Sequence, residues 1–212
     1  MRTIALINQK GGVGKSTLAI HLAVAFTEAG RNTVILDLDP QTSAAEWADS
    51  REAEFPYVES IQPSRLEKRA GEMRGIGTDI LILDTAPHAE ATALAAARMA
   101  DLVLIPSKPS MMDLRAMVKT AKLLELVKTP SYAVLNAVQH HSTTAAYSAA
   151  KTISDVLGLP VAPVWTHERV AYHRCLIDGM AAQEADPESK AAFEVRALQR
   201  WVDKTLKAKV AA

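Results

Sequence analysis

The sequence predicts an α/β fold, a mostly parallel sheet with helices on both faces. Three observations lead there. Short aliphatic or β-branched runs alternate with longer segments of helical period along the chain, which is the pattern of strand–helix–strand units. The strand runs are continuously apolar, as strands covered on both faces must be. A glycine-rich stretch with two lysines, Gln9-Lys10-Gly11-Gly12-Val13-Gly14-Lys15-Ser16-Thr17, joins the first run to the first helical segment.

Taken in order, Thr3–Ile7 is the first strand and Ser16–Ala29 the first helix. Gly30 stands where a helix ends on a left-handed residue. Thr33–Leu38 and Ala44–Arg51 follow, then Tyr57–Ser60 and Ser64–Arg74. Ile80–Leu83 leads to Glu90–Met99, and Leu102–Ile105 to Ser110–Val127. Ser110-x-x-Asp113 is a helix-starting pair, because the serine oxygen accepts from a free first-turn N–H. Ala133–Leu135 and Thr143–Leu157 come next. A further strand is expected at Val161–Val164, then helices at Glu168–Asp178 and Glu188–Lys207. With no repeat, low-complexity tract or linker, residues 1–212 are expected to form a single domain.

Bulk properties narrow the function. A chain of 212 residues can bury a sizeable core. Lys plus Arg and Asp plus Glu both number 24, so any nucleic-acid contact has to come from a local patch. No apolar run is long enough to cross a bilayer. The first residues enter a strand at once, which leaves no room for a signal peptide. One cysteine, Cys175, excludes an internal disulfide and points to a reducing cytoplasm.

The glycine stretch carries the chemistry. Gly11, Gly12 and Gly14 let the backbone turn tightly and aim N–H groups inward, where they and the positive end of the next helix cradle phosphates. Lys15 reaches the β- and γ-phosphates, and Ser16 offers a hydroxyl to magnesium. The strict G-x-x-x-x-G-K-[ST] pattern would need glycine at position 9, which is Gln9; the loop has an extra lysine, Lys10, instead. The second strand ends in Asp37-Leu38-Asp39-Pro40-Gln41 and the fourth in Asp84. Ligands gather at the carboxyl ends of such strands, so these carboxylates belong beside phosphate and magnesium. An apolar strand ending in Asp84 is a Walker B pattern, the carboxylate holding the metal. After the sixth strand, Asn136-Ala137-Val138-Gln139 lacks the N-K-x-D of guanine-specific proteins, so adenine is favoured.

The loop K-G-G-x-G-K-[ST]-[ST] resembles the deviant Walker A motif of the ParA/MinD group of P-loop ATPases. D-x-D-P-Q after the second strand, and Asp101 to Ser110 followed by Asp113-Leu114, resemble the same group. The resemblance extends late in the chain through Glu168-Arg169-Val170-Ala171-Tyr172…Gly179. It departs at Ala86, which separates Asp84-Thr85 from Pro87. It implies ATP and Mg2+ as cofactors, bound by Lys10 to Thr17, Val13 included, with Ser16, Asp37 and Asp84 about the metal. It implies that Lys10 crosses to the nucleotide of a second subunit in an ATP-dependent homodimer. It implies that Asp39 positions the attacking water, that Asp37 supports the magnesium shell and that Asn136 faces the adenine. The chain begins at the first sheet strand, like short partition ATPases without their own operator-binding domain. The reading is a ParA-type ATPase for DNA partition or cargo positioning, cytoplasmic and on the nucleoid when ATP-bound. A ParB-like or cargo-adaptor protein would activate it.

The C-terminal helix, where residues 188 to 209 hold three more cations than acids, reads either as a packed terminus with a solvated basic face or as part of a DNA surface that the preceding helix extends. Arg169, Arg174, Arg196 and Arg200 are the candidates, contacting phosphates without reading sequence. The competing reading is a MinD-like membrane-associated ATPase in division-site placement. It needs an apolar anchor, and Lys204 to Ala212 has few large apolar residues. An iron–sulfur reductase would need paired cysteines. An amidoligase would need an added amidotransferase region. Adjacent His140 and His141 read as a solvated loop, and Trp47, Trp165 and Trp201 as scattered packing residues.

Overall fold

The computed structural model describes residues 1–140 and 143–208. Six strands form one sheet: β1 (Arg2–Leu6), β2 (Thr33–Asp37), β3 (Tyr57–Ser60), β4 (Ile80–Asp84), β5 (Leu102–Ser107) and β6 (Ser131–Leu135). All pairs are parallel, and the order is β3-β2-β4-β1-β5-β6. The crossovers are α1 (Lys15–Glu28), α2 (Ser43–Asp49), α3 (Leu66–Gly75), α4 (Glu90–Met99), α5 (Met111–Leu124) and α6 (Thr143–Leu157). Then come α7 (Ala171–Ile177), α8 (Ala182–Ala185) and α9 (Lys190–Ala208).

Both faces of the sheet are covered, which is why every residue of β2, β4 and β5 is buried. Side chains alternate between faces along each strand. Ile4 and Leu6 of β1 join α1, α2 and α9 in one core, through Phe26, Trp47 and Val202. Ala5 and Ile7 join α3 to α6 in the other, through Met73, Ala97, Met117 and Ile153. Leu6 of β1 and Asp37 of β2 are both in register with Asp84 of β4, so three strand ends finish level. The loops leaving those ends define one rim of the sheet.

Three expectations need correction. Val161–Val164 forms no strand; only a single bridge joins Val161 to Ala133. Pro160 and Pro163 carry no N–H, so a ladder cannot propagate there. The helix expected at Glu168 begins at Ala171, and α8 was not foreseen. Helical spacing would put Phe193 with Leu198, Trp201, Val202 and Leu206 on the apolar face of the terminal helix, but it is 52% exposed, and Val195 and Ala191 are buried. His141 and Lys209 lie outside the described residues.

Candidate nucleotide site

The glycine loop runs from the end of β1 into α1. Gly12 and Gly14 have φ of +71° and +92°, conformations that L side chains resist. Gly14 is also packed closely, for a Cβ built there would overlap the Asn136 amide. Side chains that no motif singles out brace the loop from below. Asn8 donates to the Pro106 carbonyl of β5 at 2.8 Å and accepts from Lys10 N at 2.9 Å. Thr120 of α5 accepts from Gln9 N at 3.1 Å. Thr85 ties the end of β4 to the Leu6 carbonyl at 2.8 Å. These are ordinary polar residues, and only the fold brings them under the loop.

Lys15 is buried at 6% exposure and donates from Nζ to the Lys10 carbonyl at 3.2 Å. Burial lowers its pKa, while Asp84 and Asp39 oppose the shift. The ammonium is therefore poised for a stronger anionic partner. Lys10 does not extend outward; its Nζ lies 2.6 Å from Asp113 Oδ1 in the same chain. Asp113 also takes part in the capping pair expected of it, its N–H donating to Ser110 Oγ at 3.2 Å.

The carboxylates divide in character. Asp84 is fully buried, and neither oxygen has a hydrogen-bond partner among the described residues. Burial pushes its pKa up to about 7; the Ser16 hydroxyl pulls it down, Asp37 pushes it up and Lys15 pulls it down. An unpartnered buried carboxylate beside a serine hydroxyl is an oxygen donor set that fits a hydrated magnesium ion. Asp37 is different in its partners. Its Oδ1 accepts from Asp39 N at 3.0 Å, and its Oδ2 from Ala44 N at 3.0 Å and Ala45 N at 3.3 Å. Both oxygens are engaged in holding the turn and the start of α2. Its pKa is raised by burial against those same donors. Asp39 is half-buried, accepts from Gln41 N at 3.0 Å and lines the open cleft.

That cleft, about 610 Å³, is lined by Gly11, Lys15, Ser16, Asp39, Trp47 and Pro87, among others. A smaller cavity of about 210 Å³ lies on the other side of the loop, against Asn136, Thr166, His167, Arg169 and Tyr172. Gly12, Gly14 and Thr17 line both, so the two are the ends of one elongated site. Asn136 donates from Nδ2 to the Val13 carbonyl at 2.8 Å. Its Oδ1 accepts from Ala137 N at 3.0 Å and from the Thr166 hydroxyl. Both ends of the amide are thus engaged within the chain, and Asn136 clamps the loop to the end of β6.

Glu194 of α9 organises the smaller cavity. It accepts from His167 N at 3.0 Å, His167 Nδ1 at 2.7 Å, Arg169 Nη2 at 2.6 Å and the Tyr172 hydroxyl at 2.9 Å. Burial opposes its ionisation, yet the Arg169, His167 and Tyr172 donors hold its pKa below the usual value. His140 stacks on His167 with ring centroids 4.9 Å apart and meets Arg169 at 3.0 Å, so it is part of this cluster and not a free loop residue. No group of three or more metal-ligating residues occurs among the described residues. The four arginines expected to contact DNA fare unequally. Arg169 is committed to Glu194, and Arg196 to Glu28 at 3.2 Å. Arg174 and Arg200 are exposed and carry no side-chain partner among the described residues.

A parallel sheet whose first strand feeds a two-lysine glycine loop, with Asp39 and Asp84 at the neighbouring strand ends, defines a P-loop ATPase of the ParA/MinD type. The chain belongs to the family of the CobQ/CobB/MinD/ParA nucleotide binding domain, whose model matches residues 4–173. It is 31% identical over 185 residues to Maintenance of carboxysome distribution protein A of Gloeobacter kilaueensis, covering 85% of this chain and 83% of that protein. The protein of the same name from Halothiobacillus neapolitanus is 27% identical, with 91% of each chain covered. Chromosome-partitioning ATPase Soj of Thermus thermophilus is 38% identical over 54% of this chain and 49% of its own. The fold is shared with the Pyrococcus furiosus cell division ATPase MinD, at TM-score 0.75 and 20% identity, covering 96% of this chain and 99% of that one. It is shared also with apo McdA of Cyanothece, at TM-score 0.73 and 17% identity, with 94% and 99% covered.

Proposed function

We propose that this chain is a ParA-type ATPase that positions a cargo, whether a DNA region or a protein assembly, and that residues 1–212 act as one P-loop domain. The observation that carries the reading is the second lysine of the loop, Lys10, parked on Asp113 within its own subunit. A P-loop that works alone has no use for this lysine. One that pairs across a nucleotide does. On this reading the loop N–H groups and Lys15 bind the phosphates of ATP. Ser16 and Asp84 would hold Mg2+, which supplies charge neutralisation between the phosphates. Asp39, on the cleft wall, orients the attacking water. Lys10 exchanges Asp113 for the nucleotide of the second subunit, and this links ATP to homodimer formation.

Relatives named for carboxysome distribution that match this chain over most of their length support positioning over division-site placement. No described helix is long and apolar enough to cross a membrane. The dimer would bind non-specific DNA, with Arg174 and Arg200 as the cations left for phosphate contacts, and a cargo-bound ParB-like or adaptor partner would stimulate hydrolysis. The protein would then be cytoplasmic and nucleoid-associated when bound to ATP.

The experiment compares wild type and Lys10→Ala with ATP and magnesium. Sedimentation reads the dimer, and partition reads arbitrary duplex DNA against anionic liposomes. The expected result is an ATP-dependent dimer that prefers DNA and is lost in the variant. Preference for liposomes would return the MinD-like reading. A variant dimer with full turnover would remove the cross-subunit role of Lys10.

A further inference from the structure

Around the smaller cavity of about 210 Å³, most side-chain donors are already engaged within the chain. Thr166 gives its hydroxyl hydrogen to Asn136 Oδ1, and Asn136 gives its amide to the Val13 carbonyl. Arg169 commits Nε and Nη2 to Glu194 and turns Nη1 to His140 Nε2 at 3.0 Å. The Tyr172 hydroxyl lies between Glu194 at 2.9 Å and the Ala191 carbonyl at 3.2 Å, both of which accept. Lys108, Glu168 and His173 also line the cavity, but all three are exposed, where water competes for their hydrogen bonds.

His167 is held differently. Its backbone forms a parallel bridge to Val138, with Val138 N donating to the Thr166 carbonyl at 3.0 Å and Glu168 N to the Val138 carbonyl at 2.9 Å. Glu194 grips the residue at two points, accepting from His167 N at 3.0 Å through Oε2 and meeting Nδ1 at 2.7 Å through Oε1. His140 lies flat on the ring, centroids 4.9 Å apart and planes within 6°. An ionised carboxylate accepts and cannot donate, so the hydrogen of the neutral ring stands on Nδ1 and a lone pair is left on Nε2. Arg169 balances the charge of Glu194 at 2.6 Å, so the imidazole keeps its place without carrying a charge. Nε2 has no partner among the described residues, and the residue lines the cavity. An acceptor fixed in this way pairs with the 6-amino group of adenine. Against guanine or hypoxanthine it meets an oxygen, and two acceptors have no hydrogen to share.

We infer that His167 is a specificity-determining residue whose Nε2 accepts from the exocyclic amino group of the bound adenine, and that Glu194 of α9 is the positioning residue that keeps this nitrogen an acceptor. This rests on the reading of the elongated site as an ATP site and adds how that site tells adenine from guanine. It also gives the C-terminal helix a part in nucleotide choice. Glu194 touches no nucleotide; it acts through the ring it orients, as an outer carboxylate fixes the tautomer of a metal-bound histidine.

The test titrates the full chain, with magnesium, against inorganic tripolyphosphate, ADP, purine riboside diphosphate, which lacks the amino group, and inosine diphosphate, which carries oxygen in its place. Wild type should bind ADP about three- to tenfold more tightly than purine riboside diphosphate, the range of one hydrogen bond, and inosine diphosphate more weakly still. His167→Phe keeps a ring against His140 and removes the nitrogen. It should bind ADP and purine riboside diphosphate alike, with tripolyphosphate unchanged. His167→Gln, whose amide reaches the place of Nε2, should keep part of the preference. Glu194→Gln offers Nδ1 a donor and lets the ring carry its hydrogen on Nε2, so it should raise inosine diphosphate relative to ADP. A merely structural role would weaken all these ligands together and leave their ratios as in wild type, which overturns the inference. So does a His167→Phe variant that keeps the wild-type preference for ADP. Wild-type ratios in Glu194→Gln overturn the part assigned to Glu194. Should that variant fail to fold, the two His167 variants decide. A wild type that binds tripolyphosphate and ADP but ignores the amino group removes this inference alone, whereas one that binds neither removes the ATP-site reading with it.

Discussion

Asn136→Ala separates two tasks that an asparagine at the end of β6 could perform. In the structure its side chain clamps the glycine loop, through the Val13 carbonyl at 2.8 Å, and receives Ala137 N at 3.0 Å and the Thr166 hydroxyl. Truncation leaves these three groups to find new partners. A buried polar group left unsatisfied costs about 1–3 kcal/mol, and Val13 is only 1% exposed. Ala137 N and Thr166 border the smaller cavity, where water can replace part of the loss. A net cost of about 2 kcal/mol is expected, which for a chain of this size lowers Tm by roughly 4–8 °C. The loosened loop should then bind ADP, GDP and pyrophosphate more weakly by a similar factor, because what has been lost is loop geometry. Titration calorimetry with all three ligands, beside thermal unfolding, reads both quantities. Weakened ADP with unchanged pyrophosphate and unchanged Tm would refute the clamp and restore a contact to the base. Gly14→Ala sharpens the test. Its overlap with the Asn136 amide is relieved in the double variant, but φ of +92° still costs about 1–2 kcal/mol, so the two changes should be non-additive.

Asp39→Ala should bind ATP within a few-fold of wild type yet lose turnover about a hundredfold, since it positions water and does not hold phosphate; unchanged single-turnover rates would remove that role. Asp84 has a folded-state pKa above its unfolded value of 3.8, so the native state binds the proton more tightly. Its contribution is therefore fully present below about pH 4 and lost as pH rises towards 7, up to about 4 kcal/mol at 1.4 kcal/mol per pH unit. Metal-free Asp84→Asn should thus melt higher than wild type at pH 8 and lose that slope, while losing magnesium-dependent turnover; equal melting at pH 5 and pH 8 in both proteins contradicts the burial argument. Asp113→Asn should free Lys10 and shift ATP-dependent dimerisation to lower protein concentration in sedimentation, whereas a dimer constant identical to wild type would make the 2.6 Å pair incidental. Removing charge at Arg174 and Arg200 should lower the salt slope of DNA affinity by about two per subunit, hence about four for the dimer, while Arg196→Ala, whose charge is held by Glu28, should change it little; identical slopes in both variants would place the DNA surface elsewhere.

Local signals were legible where chemistry demands particular residues in fixed succession. The loop from Gln9 to Thr17 needs glycines at left-handed positions and lysines at set offsets, and no tertiary contact is needed to read that. Asp84 was legible because an apolar strand ending in a carboxylate has to deliver it to the sheet rim. Asp37 and Asp39 share that rim by spacing alone, but spacing does not say which oxygens are free. The start of α2 lies against Asp37 and bonds its Oδ2, while Oδ1 accepts from the Asp39 N–H of the turn between them. Val161–Val164 was misread because β-branched residues suggested a strand where Pro160 and Pro163 remove the donors a ladder needs.

The sequence by itself determined the alternation of strands and helices, the phosphate loop and the carboxylates at the strand ends, because each follows from backbone geometry over a few neighbouring residues. Tertiary structure alone decided which of the polar groups remain available. Asn8 and Asn136 became braces, Arg169 and Arg196 were drawn into ion pairs, and Lys10 came to rest on Asp113, through partners 25 to 168 positions away in the chain. The energy of a polar side chain depends on who satisfies it, and in a folded chain that partner is set by packing, not by sequence proximity.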